Sequence, residues 1–111
     1  MYQDKIVLCG SSKYEQKFYL NDDFSGLPEK VKQELKIMCV LFTEEIGGVL
    51  TLQYTPEGKL EFETSCREDD FLYDDIGCVL KIKKLRSEKK ELLESLEMYY
   101  KVFFLGEDVG E

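Results

Sequence analysis

The side chains of this sequence that could do chemistry are carboxylates and thiols, because the chain contains no histidine. This excludes the Ser-His-Asp and Cys-His arrangements and removes the ligand that most zinc and haem sites use. The four cysteines include no Cys-x-x-Cys pair, and no glycine-rich phosphate-binding motif is present. The sequence therefore predicts no catalytic residue, no cofactor and no metal ion, and it favours a non-enzymatic protein.

An acidic stretch between residues 68 and 75 is the strongest candidate for a metal site. Its oxygen ligands would suit Ca²⁺ or Mg²⁺, but the spacing lacks the Asp-x-Asp-x-Asp-Gly pattern of an EF-hand loop. A solvated loop followed by an acidic helix start explains it better, since negative charge at a helix N-terminus is favourable. The carboxylates are Glu68, Asp69, Asp70, Asp74 and Asp75.

Cys66 is the best candidate nucleophile, because it lies at a predicted strand end beside Arg67, and a nearby cation lowers the pKa of a thiol. No histidine is available as its base, so a catalytic role is not expected. Cys9, Cys39 and Cys78 lie within apolar runs. They predict buried free thiols rather than disulfides.

The basic segment 81–90 is the one positive patch of a chain whose net charge is −8. It contains no aromatic residue that could stack on a base, and the negative net charge works against nucleic-acid binding. We interpret the patch as a solvated helix junction that offsets neighbouring acidic residues, and docking of an acidic partner is the alternative.

The chain has the size and composition of one domain, at 111 residues with 43% apolar and 34% charged residues. We expect the domain to span residues 1–106 and a disordered tail to follow at 107–111. The start of the sequence has no long apolar segment, and no run approaches the 18 apolar residues of a membrane-spanning helix. These features predict an acidic cytoplasmic protein that does not contact a membrane.

Two β-hairpins are predicted. In the first, strands at 5–9 and 15–20 flank the turn Gly10-Ser11-Ser12-Lys13 and place Ile6 opposite Phe18. In the second, strands at 49–54 and 59–64 flank Thr55-Pro56-Glu57-Gly58, which suits a type I turn followed by a left-handed glycine. Its alternating pattern predicts the pairs Tyr54 with Leu60, Leu52 with Phe62, and Leu50 with Thr64.

Three helices complete the predicted order β-β-α-β-β-α-α. The first begins near Pro28, ends at Gly47-Gly48 and carries a stripe of apolar residues at helical spacing: Val31, Leu35, Met38, Phe42 and Ile46. The second begins near Phe71, with the predicted apolar face Leu72, Tyr73, Ile76, Val79 and Leu80. The third runs from Ser87 to about Leu105, unless residues 71–105 form one long helix. We expect an α+β fold in which the two hairpins form one antiparallel sheet packed by the helices.

Two of these helices carry more apolar residues than one packed face requires. In the first helix Ile37, Val40 and Leu41 point away from the stripe, and ten of the fourteen residues from Leu92 to Leu105 are apolar or aromatic. Three explanations are open: the two helices cover each other, a symmetric homodimer forms through the third helix, or the surface is a groove for a ligand or partner protein. The predicted interface residues are Met98, Tyr99, Val102, Phe103 and Leu105.

The segments 37–48, IMCVLFTEEIGG, and 71–78, FLYDDIGC, resemble those of short bacterial proteins grouped as a domain of unknown function. The resemblance implies no activity. We expect a non-catalytic interaction or structural domain, self-associating as a homodimer or binding a protein partner. The alternative is a small-ligand-binding protein or an enzyme, with a pocket enclosed by Tyr99, Tyr100 and the sheet and with a buried Asp or Glu at its base.

Overall fold

Four strands form one antiparallel sheet in the order β2-β1-β3-β4. The computed structural model describes residues 5–106, so the predicted tail at 107–111 lies outside the described residues. The strands are β1 Ile6–Ser12, β2 Lys17–Leu20, β3 Val49–Tyr54 and β4 Leu60–Ser65. The central pair, β1 with β3, joins the two hairpins.

The helices are α1 Glu29–Ile46, α2 Asp75–Glu88 and α3 Lys90–Phe103, and a short 3₁₀ turn at Asp22–Phe24 precedes α1. The predicted α+β class and the order β-β-α-β-β-α-α are confirmed. The segment after β4 forms two helices rather than one. They are separated at Lys89, whose φ of −108° and ψ of 25° interrupt the helical backbone.

The second hairpin has the predicted register. Tyr54 pairs with Leu60, Leu52 with Phe62 and Leu50 with Thr64. Gly58 takes the left-handed position of the turn at φ +92°, where a residue with a Cβ is strained. Leu50, Leu52 and Tyr54 are fully buried, so this hairpin supplies much of the packed face of the sheet.

The predicted turn and register of the first hairpin are wrong. β1 continues through Gly10-Ser11-Ser12, the turn lies at 13–16, and Phe18 pairs with Ser11 rather than Ile6. Gly10 marks a close approach of two strands, because a Cβ there would lie 2.7 Å from the backbone oxygen of Leu50. Gln16, at φ 53°, takes the left-handed turn position instead.

The predicted stripe of α1 packs on the sheet. Leu35, Met38, Phe42 and Ile46 are buried, and Val31 is partly buried against them. The hydroxyl of Ser11 on β1 donates to the Cys39 carbonyl at 2.8 Å, which ties the helix to the central strands. The helix ends as predicted at Gly47-Gly48, where both glycines have positive φ.

The predicted apolar face of α2 is wrong except at Tyr73, which packs against the core. The helix begins at Asp75 rather than near Phe71, because the Asp74 carboxylate accepts a bond from the Gly77 N–H at 2.8 Å and caps it there. Cys78, Ile82 and Leu85 face the core, so Ile76, Val79 and Leu80 point outward.

α2 runs antiparallel beside α1. Lys81 pairs with Glu45 at 3.0 Å near one end of the helix pair, and Lys89 pairs with Glu34 at 3.3 Å near the other. The backbone N–H of Asp74 lies 3.3 Å from the Ile46 carbonyl, so the start of α2 is held at the end of α1. The helices therefore form one layer on the sheet.

Candidate functional site

An exposed apolar surface covers the outward side of α2 and the loop before it. Its side chains are exposed by between 61% for Leu80 and 93% for Phe71. We call it the α2 apolar surface, and its members are Phe71, Leu72, Ile76, Val79 and Leu80.

Helix geometry explains why the three helical members of this surface share one side of α2. Ile76, Val79 and Leu80 follow the i, i+3, i+4 spacing that forms a single stripe, and Lys83 continues it at i+7. Cys78, Ile82 and Leu85 form a second stripe on the packed side. The helix is thus apolar on two sides, and the fold of one chain buries only one of them.

A smaller apolar groove lies on the outer face of α1. Ile37 and Leu41 are exposed there and Val40 is half-buried. These residues line a shallow groove of about 240 Å³ together with Gln33 and Lys36. The sequence prediction that these three residues point away from the packed stripe agrees with their positions.

The residues predicted to form an interface on α3 divide into two groups. Met98 and Phe103 are well exposed, at 54% and 70%. Tyr99 is half-buried and its ring lies 4.8 Å from that of Phe103. Val102 is half-buried, and Leu105 lies against the turn of the second hairpin near Gly58. The structure therefore leaves two of the five side chains mostly free for contact.

An aromatic stack contains Tyr100, one of the two tyrosines that the alternative prediction assigns to a pocket. The Tyr100 ring lies 4.1 Å from that of Tyr54 and 5.1 Å from that of Phe104, and Phe24 stacks on Phe104 at 4.7 Å. The neighbouring carboxylate of Glu97 accepts a bond from the Leu60 backbone N–H at 2.9 Å. These contacts give the stack the character of a packed core.

The Tyr54 phenol lies at the centre of this stack. It donates a hydrogen bond to the Leu96 carbonyl at 2.9 Å and is fully buried. Burial raises its pKa far above the ordinary value of 10.0, because the phenolate would have to form away from water. The group is thus held as a neutral donor.

Cys66 does not have the lowered thiol pKa that its sequence neighbour suggested. Partial desolvation, followed by the charges of Asp70 and Asp75, raises its pKa above 9.0. The guanidinium of Arg67 instead lies over the Tyr14 ring, 4.2 Å from its centre.

The remaining cysteines are buried free thiols, as predicted. Cys9 and Cys39 are fully buried with their sulfurs 3.8 Å apart. Contact with the Cys39 thiol, together with burial, raises the pKa of Cys9 well above 9.0. Both sulfurs form part of the contact between β1 and α1.

The acidic stretch makes structural contacts. Asp70 accepts bonds from the Tyr14 hydroxyl and from the Leu72 N–H, and Asp74 caps α2. The Tyr14 bond and the Leu72 bond lower the pKa of Asp70, with the Tyr14 bond the larger cause. Within residues 5–106, no three potential ligands converge on a point where a metal ion could bind.

The basic segment is partly neutralised by neighbouring helices. Lys81 and Lys89 pair with carboxylates of α1, and Lys90 pairs with Glu94 at 3.5 Å. Arg86 covers the Phe62 ring at 5.0 Å. Lys83 makes no ion pair with any described residue.

The sequence interpretation missed the α2 apolar surface because it assigned Ile76, Val79 and Leu80 to the packed side. The signal that could have found it is the competing stripe Cys78, Ile82 and Leu85, at spacings of four and three residues. Asp74, a good N-cap three residues before Gly77, also marks the later helix start.

Across residues 5–106, the helices are too short or too polar to span a bilayer. No curated protein and no solved structure matches the chain. The model of one family covers residues 5–108, nearly the whole sequence, and confirms the predicted assignment to an uncharacterised domain. The chain belongs to the family described as "Family of unknown function (DUF6145)".

Proposed function

We propose that this chain is a non-catalytic protein-interaction domain that self-associates as a homodimer. The observation that carries the proposal is the α2 apolar surface, whose side chains are all exposed by more than half. Single exposed apolar residues are ordinary on protein surfaces, but adjacent ones in such number mark interaction sites.

Covering this surface would contribute favourable free energy to association. Five large side chains at these exposures present several hundred Å² of apolar area. Burial stabilises a complex by roughly 25 cal/mol per Å² before the costs of association are subtracted.

The four cysteines are free thiols, which supports the cytoplasm as the proposed location.

A second candidate surface is the exposed part of α3. Met98 and Phe103 are available there, and the sequence alone placed the interface on this helix. It offers fewer exposed side chains than the α2 apolar surface. We therefore place the homodimer contact on α2 and treat the α3 contact as the competing outcome.

Light scattering across a range of protein concentrations, in reducing buffer, tests the proposal. Three matched double variants each replace two exposed apolar helical residues with glutamate: Val79→Glu with Leu80→Glu, Ile37→Glu with Leu41→Glu, and Met98→Glu with Phe103→Glu. We expect the wild type and the second and third variants to be dimers, and the first to be a folded monomer.

Two results would contradict the proposal in different ways. A wild type that is monomeric at high concentration removes self-association altogether. A dimer that is lost only with Met98→Glu and Phe103→Glu moves the interface to α3. Circular dichroism of each variant separates loss of association from loss of folding.

A further inference from the structure

Charge is distributed unevenly along α2, on either side of its exposed apolar residues. The start of the helix carries Asp74 and Asp75, and its second half carries Lys83, Lys84 and Arg86. Asp75 and Lys83 form no ion pair with any residue between 5 and 106. A negative charge before Ile76 and a positive charge after Leu80, both without an ion-pair partner among the described residues, therefore flank the helical part of the α2 apolar surface.

We infer that the occupant of the α2 apolar surface is the α2 helix of a second copy, packed antiparallel about a two-fold axis beside Val79 and Leu80. This inference rests on the proposed self-association and specifies its geometry. A two-fold contact requires a surface that is complementary to itself. An antiparallel pair meets this requirement here, because it brings each acidic helix start against the basic half of the other copy.

The positions of Asp75 and Lys83 fit this arrangement. Each lies four residues from Val79, at about 6 Å along the axis on opposite sides. A two-fold axis beside Val79 therefore brings Asp75 to the level of Lys83 in the second copy. Because successive residues of a helix are rotated by 100°, Asp75 and Lys83 also lie on the same flank of α2, the one that faces β4. Arg86 marks that flank, since its guanidinium contacts the Leu60 carbonyl on β4.

A parallel arrangement is disfavoured by the same charges. It would place Asp75 beside Asp75 and Lys83 beside Lys83, and like charges in an interface oppose association. In the antiparallel pair Ile76 comes within about 1.5 Å of the level of Lys83 along the axis. The aliphatic stem of Lys83 can cover Ile76 while its ammonium stays in water. The apolar centre and the charged ends then favour the same alignment.

The exposed area is of the order that such a dimer needs. A standard stable interface buries about 800 Å² on each partner. The α2 apolar surface supplies several hundred Å² of this from five side chains, and the flanking charged residues form the polar rim around it.

The geometry is tested with two charge-reversal variants, studied alone and mixed, whose self-association is measured by sedimentation equilibrium. Asp75→Lys places like charges at both contacts of its homodimer, and so does Lys83→Glu. We expect each variant alone to self-associate about tenfold or more weakly than the wild type. An equimolar mixture of the two restores attraction at both contacts, so it forms a heterodimer about as tight as the wild type.

Two control variants carry the same net charges without touching α2. Glu57→Lys, in the turn of the second hairpin, matches Asp75→Lys, and Lys30→Glu, in the first turn of α1, matches Lys83→Glu. Both should dimerise as the wild type does. If Asp75→Lys unfolds, Asp75→Asn replaces it, and its mixture with Lys83→Glu is expected to associate more tightly than Lys83→Glu alone.

The outcomes separate this inference from the proposed function. A dimeric wild type whose charge variants associate no better mixed than alone overturns the antiparallel contact and leaves self-association standing. A wild type that is monomeric throughout overturns both.

Discussion

At the scale of single residues, Tyr54 shows most clearly how the core depends on one polar group. Its ring stacks on Tyr100 and its hydroxyl reaches the Leu96 carbonyl, so it joins the second hairpin to α3. A buried phenol is tolerated because its donor is satisfied. Its ionisation would place an unpaired charge in the same space.

Replacing this residue gives a pH-dependent prediction. Below about pH 10, Tyr54→Phe should lower the free energy of unfolding by about 1 kcal/mol through loss of the hydrogen bond. Because the folded pKa of Tyr54 is raised above 10.0, the unfolded chain releases this proton first. The wild type therefore loses stability as pH rises above 10, and the difference from Tyr54→Phe narrows.

Urea unfolding at about pH 7, 9 and 10.5 measures that difference. Tyr19→Phe, which removes a phenol from the exposed side of the edge strand β2, is the control. If the difference in free energy of unfolding between wild type and Tyr54→Phe stays constant across this pH range, folding does not keep the Tyr54 phenol neutral.

At the scale of elements, the accuracy of each sequence prediction follows from how local its determinants are. The second hairpin was predictable with its register because its turn residues and its alternation agree within sixteen residues. The first hairpin was not, because Gly10 is required by the close approach of β3, forty residues away in sequence. A turn and a close contact both favour glycine, and only the assembled sheet distinguishes them.

The candidate site could not be predicted for a related reason. α2 has apolar residues on opposite sides, so its periodicity does not select one packed face. The contacts that select it are distant in sequence: Lys81 with Glu45, and Cys78 with Thr64 at 3.6 Å. The sequence indicated surplus apolar surface on α1 and α3, but the most exposed apolar side chains, Phe71 and Leu72, lie in the loop before α2.

Two leucines of α2 allow its two sides to be compared directly. Leu85 is 6% exposed and Leu80 is 61% exposed. In dilute protein, where chains are monomeric, we expect Leu85→Ala to lower the free energy of unfolding by about 2–4 kcal/mol through the cavity it leaves. Leu80→Ala should change it by less than about 0.5 kcal/mol.

The two substitutions should have the reverse order of effect on dimerisation. Leu80→Ala should raise the dimer dissociation constant, because Leu80 lies in the proposed contact, and Leu85→Ala should not, because Leu85 lies outside it. Chemical unfolding gives the stabilities and light scattering gives the dimer dissociation constants. Equal destabilisation by both substitutions would mean that Leu80 is packed within the chain, and the α2 apolar surface would then be smaller than described.

At the scale of the whole molecule, the outer faces of the two layers differ in chemistry. The open face of the sheet is polar, with Lys5 paired to Glu61 at 2.9 Å and Gln53 lying 3.4 Å from Glu63. The outer face of the helix layer exposes the α2 apolar surface and the α1 groove. The sheet face is polar and is stable in contact with water. Covering the apolar outer face of the helix layer removes apolar area from water, which is favourable.

This asymmetry predicts that thermal stability depends on concentration. If the folded chain dimerises through its helix layer, unfolding separates the copies, and a hundredfold rise in concentration should raise Tm by roughly 5 °C. The variant with Val79→Glu and Leu80→Glu should melt at one temperature across the same range, because its folded form is monomeric. Calorimetry over that range measures both. A wild-type Tm that does not move would mean that the exposed helix layer is not covered by a second copy.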